Sequence, residues 1–252
     1  MSSAQINGIE LGYEASGEGQ AVLFTHGYQA SKAMWQPQRE ALDDAYRVIT
    51  WDLRGHGSSG IPDDPAMYSH DLMIGDIGAL IDHLDAEPAV LVGHSLGGYA
   101  SLCFYLERPQ SVRALVLVGT GPGFRDPDAR GKWNSMAERF AVRLDEDGLD
   151  ILKRASAEVS TAEHRSANAL ALAARGMLAQ SDSRVIDAIT EISVPTLVLI
   201  GSEDKPFIGS SEYMAKKIPG AELVTVDGGG HAANMERPSA FNAAMRSFLD
   251  RL

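Results

Sequence analysis

The chain has 252 residues, with 22 Lys plus Arg against 34 Asp plus Glu and a formal net charge of -12. With no basic cluster, that acidic surplus argues against nucleic acid and anionic membrane as partners and assigns the charge to solubility. The length suits one α/β domain with a core of its own, and the single cysteine, Cys103, excludes an intrachain disulfide and a Cys-rich metal site.

The opening Met1-Ser2-Ser3-Ala4-Gln5-Ile6 has neither a basic nor an apolar targeting region, and no apolar run nears the ~18 residues of a membrane span, so a soluble, cytoplasmic protein is expected. Asn7-Gly8 between short alternating segments predicts a hairpin of two antiparallel strands. The continuous apolar run Ala21 to Thr25 predicts a strand buried on both faces, followed by a helix over 33–42. Tyr46 to Trp51 predicts another strand, and the glycines and polar residues of 52–60 predict a loop that Pro62 and Pro65 extend. Leu72, Ile74, Ile77, Leu80, Ile81 and Leu84 recur at helical spacing over 69–84. Strand 89–92, a helix over 96–107 that buries Cys103, and strand 112–118 then continue the alternation of a parallel sheet covered on both faces.

From Thr120 to Thr190 no strand-like run occurs. Trp133, Met136, Phe140 and Leu144 share one helical face, as do Leu170, Ala174, Met177 and Leu178, so 121–190 reads as a helical insertion entered through Gly121-Pro122-Gly123. The sheet resumes at 194–200, with Pro195 tolerable near the strand's start. A helix over 210–217, strand 222–226, the loop Gly228-Gly229-Gly230-His231 and a last helix from Pro238 to Leu252 complete the chain.

Chemistry concentrates at Gly93-His94-Ser95-Leu96-Gly97, a serine on a sharp turn between strand and helix, flanked by glycines that let the two approach. A serine hydroxyl needs a base, and the base needs a group that fixes its tautomer. Of seven histidines, His70, His83 and His164 fall in predicted helices as surface residues, and His26, His56 and His94 read as loop-orienting. His231, after three glycines beyond the last strand, is the candidate base. Asp204, just past a strand's carboxyl end, is the favoured orienting carboxylate. Glu203 points elsewhere, Asp52 reads as turn-stabilising, and Asp227 is too near His231 in sequence for a good hydrogen bond. Backbone N-H groups of Leu96 and Tyr28 are the candidate donors to an oxyanion.

The order Ser95, Asp204, His231, the Gly-x-Ser-x-Gly turn, His26-Gly27 and Asp52-Leu53-Arg54-Gly55-His56-Gly57 together resemble the α/β-hydrolase fold family over nearly the whole chain. The resemblance implies Ser95 as nucleophile, His231 as base, Asp204 as acid, and Tyr28 and Leu96 as oxyanion donors. It also implies a mostly parallel eight-stranded sheet with helices on both faces, a core of 1–120 and 191–252, and a cap of 121–190 after the sixth strand. A serine at the nucleophile position argues against haloalkane dehalogenases and epoxide hydrolases, and Tyr28-Gln29 after Gly27 departs from the His-Gly-Gly-Gly lipases. Carboxylesterases, enol-lactonases, carbon-carbon bond hydrolases and cofactor-free perhydrolases remain. The expectation is hydrolysis of a small ester or lactone through an acyl-enzyme, without metal or cofactor, and the alternative of another class is a hydrolase-like ligand receptor. Tyr28, Met34, Trp35, Trp133, Met136, Phe140 and Phe207 are the candidate pocket, favouring small or medium apolar acyl groups over charged ones. Nothing in the sequence fixes an oligomeric state.

Overall fold

A computed structural model describes residues 2–252. One sheet of eight strands is formed by β1 (Ser2–Ile6), β2 (Ile9–Ser16), β3 (Ala21–Thr25), β4 (Arg47–Trp51), β5 (Ala89–His94), β6 (Val112–Val118), β7 (Thr196–Gly201) and β8 (Glu222–Val226). Their order is β1-β2-β4-β3-β5-β6-β7-β8, antiparallel from β1 to β2 and from β2 to β4, and parallel elsewhere. This is the mostly parallel eight-stranded sheet that the resemblance to the α/β-hydrolase fold implies. After β3 the chain pairs β4 on one side and then returns to place β5 on the other. The carboxyl ends of β3 and β5 therefore flank a point where the winding reverses, which is where open α/β sheets leave a crevice for ligands.

Every residue of β3, β5 and β7 is buried, which explains their unbroken apolar runs. Alternate side chains enter two cores. Leu23, Leu91 and Leu115 pack with Ile77 and Leu102 on one face, and Val22, Phe24, Val90 and Val116 pack with Phe241 and Met245 on the other.

The helices are α1 (Gln36–Leu42), α2 (His70–His83), α3 (Leu96–Glu107), α4 (Pro127–Asp147), α5 (Ala157–Ser160), α6 (Ala167–Ala173), α7 (Arg184–Ala188), α8 (Lys205–Lys217), α9 (Ala233–Glu236) and α10 (Pro238–Leu249). Between β6 and β7 lie only helices and turns, α4 to α7 among them. The Ser69 hydroxyl accepts from the Leu72 N-H at 3.2 Å and sets the start of α2. Two starts differ from expectation because proline, lacking an N-H, fits only a helix's first turn. Lys32–Trp35 is a separate 3-10 turn and α1 begins beside Pro37, while α8 begins at Lys205 beside Pro206 instead of at Ser210. His164 is also not helical but sits in the loop between α5 and α6, half-buried. Its imidazole is held there by main-chain groups, donating from Nε2 to the Gln29 carbonyl at 2.8 Å. His70, at the start of α2, is half-buried as well, its Nε2 donating to the Met177 carbonyl at 2.8 Å, and His83 alone of the three is exposed. Among the described residues, no helix is long and apolar enough to cross a membrane.

Candidate active site

Ser95 joins β5 to α3 with φ 51° and ψ -115°, a left-handed conformation that costs an L-residue of order 1–3 kcal/mol and persists only where its surroundings impose it. Those surroundings are visible. The Ser95 N-H donates to the Val118 carbonyl at 2.9 Å, and its own carbonyl accepts from the Thr120 hydroxyl at 2.7 Å and from the Gly98 and Tyr99 N-H groups. A Cβ on Gly93 would collide with the Gly97 carbonyl, so strand and helix approach this closely only with glycine between them.

His231 follows β8 and Asp204 follows β7, so both hang over the carboxyl edge of the sheet. The His231 Nδ1-H donates to Asp204 Oδ2 at 2.8 Å; the Asp204 side chain is 3% exposed and that of His231 is 30% exposed. Phe207, from α8, stacks on the imidazole with ring centroids 4.8 Å apart and an interplanar angle of 22°. His94 supports it from the other element, donating from Nε2 to the His231 carbonyl at 2.9 Å. Gly119, just beyond β6, belongs to the site although no motif marks it in the sequence. With φ +50°, it would carry a Cβ 3.1 Å from Asp204 Oδ2 and 3.2 Å from His231 Nδ1, so glycine is what lets this pair close.

Leu96 opens α3, where a backbone N-H has no intrahelical acceptor. Tyr28 lies in the loop after β3, and its phenol donates to the Leu170 carbonyl at 3.0 Å. Burial pushes that phenol well above its ordinary pKa.

Ser95, Leu96, Tyr28 and His231 line one cavity of about 420 Å³, a size usual for small-molecule sites. Trp133, Met136, Phe140 and Phe207 line it too, as the sequence suggests. Met34 and Trp35 do not. Both are fully buried beneath the opposite face of the sheet, where Trp35 packs on Phe24 with centroids 5.1 Å apart, because the 3-10 turn points them into the second core. Leu178, from the second helical face of the segment, lines the cavity too, and so do Phe124, Glu158 and Gln180, which the packing of the helical segment places there and no local pattern marks.

The remaining polar candidates are occupied. Asp52 accepts from the Lys32 N-H at 2.7 Å, Lys32 Nζ at 2.6 Å and the Ser58 N-H at 2.9 Å, as a turn-stabilising carboxylate should. His26 accepts from the Leu53 N-H at 3.0 Å and contacts the Gly27 carbonyl; burial lowers its pKa from 6.5 to about 4. Cys103 is buried in α3, where burial pushes the thiol up to about 12 and keeps it unreactive. A larger recess of about 790 Å³ is lined by Lys32, Arg39 and Arg165, but Lys32 is paired with Asp52, Arg39 with Glu14, and Arg165 bonds the Gly57 and Ser59 carbonyls. The one imidazole in its lining, His164, is held by main-chain groups and by no carboxylate, whereas His231 in the Ser95 cavity is bonded to Asp204, so the Ser95 cavity is the better candidate.

Residues 22–244 match the family described as the alpha/beta hydrolase family. A 3-oxoadipate enol-lactonase of Acinetobacter baylyi is 26% identical over 96% of this chain and 94% of its own. Among solved structures, a thermophilic esterase from Thermogutta terrifontis is 29% identical with a TM-score of 0.85, covering 99% of this chain and 98% of the other. An enol-lactonase from Burkholderia xenovorans is 26% identical with a TM-score of 0.80, covering 99% and 100%.

Proposed function

The chain belongs to the alpha/beta hydrolase family, and from that premise we propose that it is a serine hydrolase cleaving a carboxylic ester or lactone of a small, largely apolar substrate. The observation that carries this reading is the Asp204-His231 hydrogen bond at the wall of the cavity that also holds Ser95 in its strained turn.

In this reading, Ser95 Oγ attacks the substrate carbonyl while its proton passes to His231 Nε2. Asp204 holds the opposite ring nitrogen as a donor and stabilises the imidazolium. The developing oxyanion accepts from the backbone N-H groups of Leu96 and Tyr28. Collapse of the tetrahedral species breaks the ester bond, and His231 returns its proton to the leaving oxygen. Water, deprotonated by His231, then attacks the acyl-enzyme and frees Ser95. In a lactone the leaving oxygen stays tethered to the acyl group. Residues 121–190 act as the cap that excludes water from this chemistry, since α4 and the turn after α6 supply the aromatic and aliphatic wall through Trp133, Phe140 and Leu178. The similarity to esterases and enol-lactonases supports the ester or lactone class.

The test is a turnover panel of aryl esters, lactones and a dienoic diketone, run with wild type and Ser95→Ala. Ester or lactone turnover that falls ~10⁴-fold or more in Ser95→Ala is expected. Preferential cleavage of the diketone assigns the protein to carbon-carbon bond hydrolysis instead, and ligand binding without multiple turnovers makes it a receptor.

A further inference from the structure

The cavity beside Ser95 is asymmetric in hydrogen-bonding character. Two of its aromatic side chains spend their donors on the protein: Trp133 Nε1-H donates to the Leu178 carbonyl at 2.8 Å, and the Tyr28 hydroxyl donates to the Leu170 carbonyl at 3.0 Å. The hydroxyl groups at its base do the same, Ser210 donating to the Thr120 carbonyl at 2.9 Å and Thr120 to the Ser95 carbonyl. Two acceptors are left over. Glu158 is 4% exposed, and while its Oε1 accepts from the Ser156 hydroxyl at 2.6 Å, its buried Oε2 has no partner. Gln180 is 8% exposed, and its buried Oε1 is likewise unpartnered. No lysine or arginine lines the cavity.

A buried carboxylate oxygen without a partner is costly, and the cost is recovered when a bound group donates to it. The Gln180 backbone is fixed from both sides by Asn134, through its N-H to Asn134 Oδ1 and its carbonyl from Asn134 Nδ2, each at 2.8 Å, so its side chain leaves from a rigid anchor. An amide can present either edge, whereas a carboxylate oxygen has no N-H to turn towards a ligand, so Glu158 carries the discrimination in favour of donors.

We infer that Glu158 is a specificity-determining residue of this cavity, selecting esters or lactones whose part remote from the scissile carbonyl ends in a protonated amine, with Gln180 as a second acceptor. The inference rests on the hydrolase reading above and departs from the expectation of apolar over charged acyl groups in one respect: an apolar body that ends in an ammonium is preferred to a neutral one. The aliphatic or aromatic body of the substrate meets the apolar wall, and discrimination among charged substrates is by sign: an ammonium is accepted, and a carboxylate meets Glu158 with no cation to balance it.

Three acyl donors of similar length separate the cases: 4-nitrophenyl 6-aminohexanoate (cationic), 4-nitrophenyl heptanoate (neutral) and the 4-nitrophenyl monoester of adipic acid (anionic). The expected order of kcat/KM in wild type is cationic, neutral, anionic, with a cationic-to-neutral ratio of roughly 10 or more that collapses towards 1 in Glu158→Gln. Calorimetry with the Ser95→Ala protein gives a reading independent of turnover: n-hexylammonium binds, hexanoate does not, and the ammonium is lost when Glu158→Gln is added. The same wild-type ratio in Glu158→Gln, or the anionic ester as the fastest substrate, overturns the inference while leaving the hydrolase reading in place. Glu158-dependent ammonium binding with no ester turnover supports the inference and overturns the hydrolase reading. Should Glu158→Gln not fold, the wild-type order of the three esters decides alone.

Discussion

Two carboxylates close two strands on the same edge of the sheet, and each has an imidazole near it. Asp52 ends β4 with His26 Nε2 3.9 Å from its Oδ1, and Asp204 follows β7 with His231 Nδ1 2.8 Å from its Oδ2. The first arrangement is saturated. Lys32 and Ser58 fill Asp52, both nitrogens of His26 face main-chain groups, and both side chains are fully buried. The second is open, because Asp204 fixes one nitrogen of a partly exposed ring whose residue lines the cavity. Identical residue types thus have their hydrogen-bonding sites filled in one place and, in the proposed reaction, transfer protons in the other. What separates them is how many of their hydrogen-bonding sites the fold has already used.

That contrast can be broken from either side. The largest effect is expected at the open pair: Asp204→Asn should lower kcat ~10⁴-fold with little change in Tm, measured by steady-state kinetics beside thermal denaturation. At the saturated pair the loss should appear as stability. Asp52→Ala strands the buried Lys32 ammonium and should cost about 3–5 kcal/mol in urea unfolding. Unfolding that is unchanged would mean Asp52 is not the anchor of its loop.

Gly119→Ala tests whether the open pair depends on the space beside it. The added methyl, in a left-handed backbone and 3.1 Å from Asp204 Oδ2, should lower kcat by ~10 to 100-fold with KM less affected, and a variant as fast as wild type would show that the pair tolerates displacement. The smallest effect is the pH response of the saturated site. His26 has its pKa lowered by burial from 6.5 to about 4, so the unfolded chain takes up a proton at higher pH than the folded one. Its stabilising contribution is complete above pH 6.5 and is lost as pH falls towards 4, at up to about 1.4 kcal/mol per pH unit. Unfolding measured between these limits in wild type and His26→Gln should show the steeper slope in wild type.

Much of the fold was legible because its signals are local. The unbroken apolar runs of β3, β5 and β7, the Asn7-Gly8 hairpin and the glycine-flanked Ser95 turn each follow from neighbouring residues alone. The errors fall where one residue's surroundings are remote in sequence. Met34 and Trp35 have the composition of pocket residues, but a 3-10 turn carries them into the core below the sheet. His164 has the sequence surroundings of a surface position on a helix, and it instead bridges the Gln29 carbonyl and the Gly57 N-H from a loop. The buried Arg54-Asp76 pair, with two bonds of 2.7 Å, left no trace in either residue's neighbours.

By itself the sequence determined the strand order's raw material and the chain positions at which Ser95, Asp204 and His231 leave the sheet, since hydrophobic period and turn chemistry act over a few residues. Only the tertiary structure decided which polar atoms stay unsatisfied. Whether His26 is closed and His231 open, or whether Glu158 Oε2 is left without a partner, depends on groups brought together from distant segments, and no local pattern records which of them arrive.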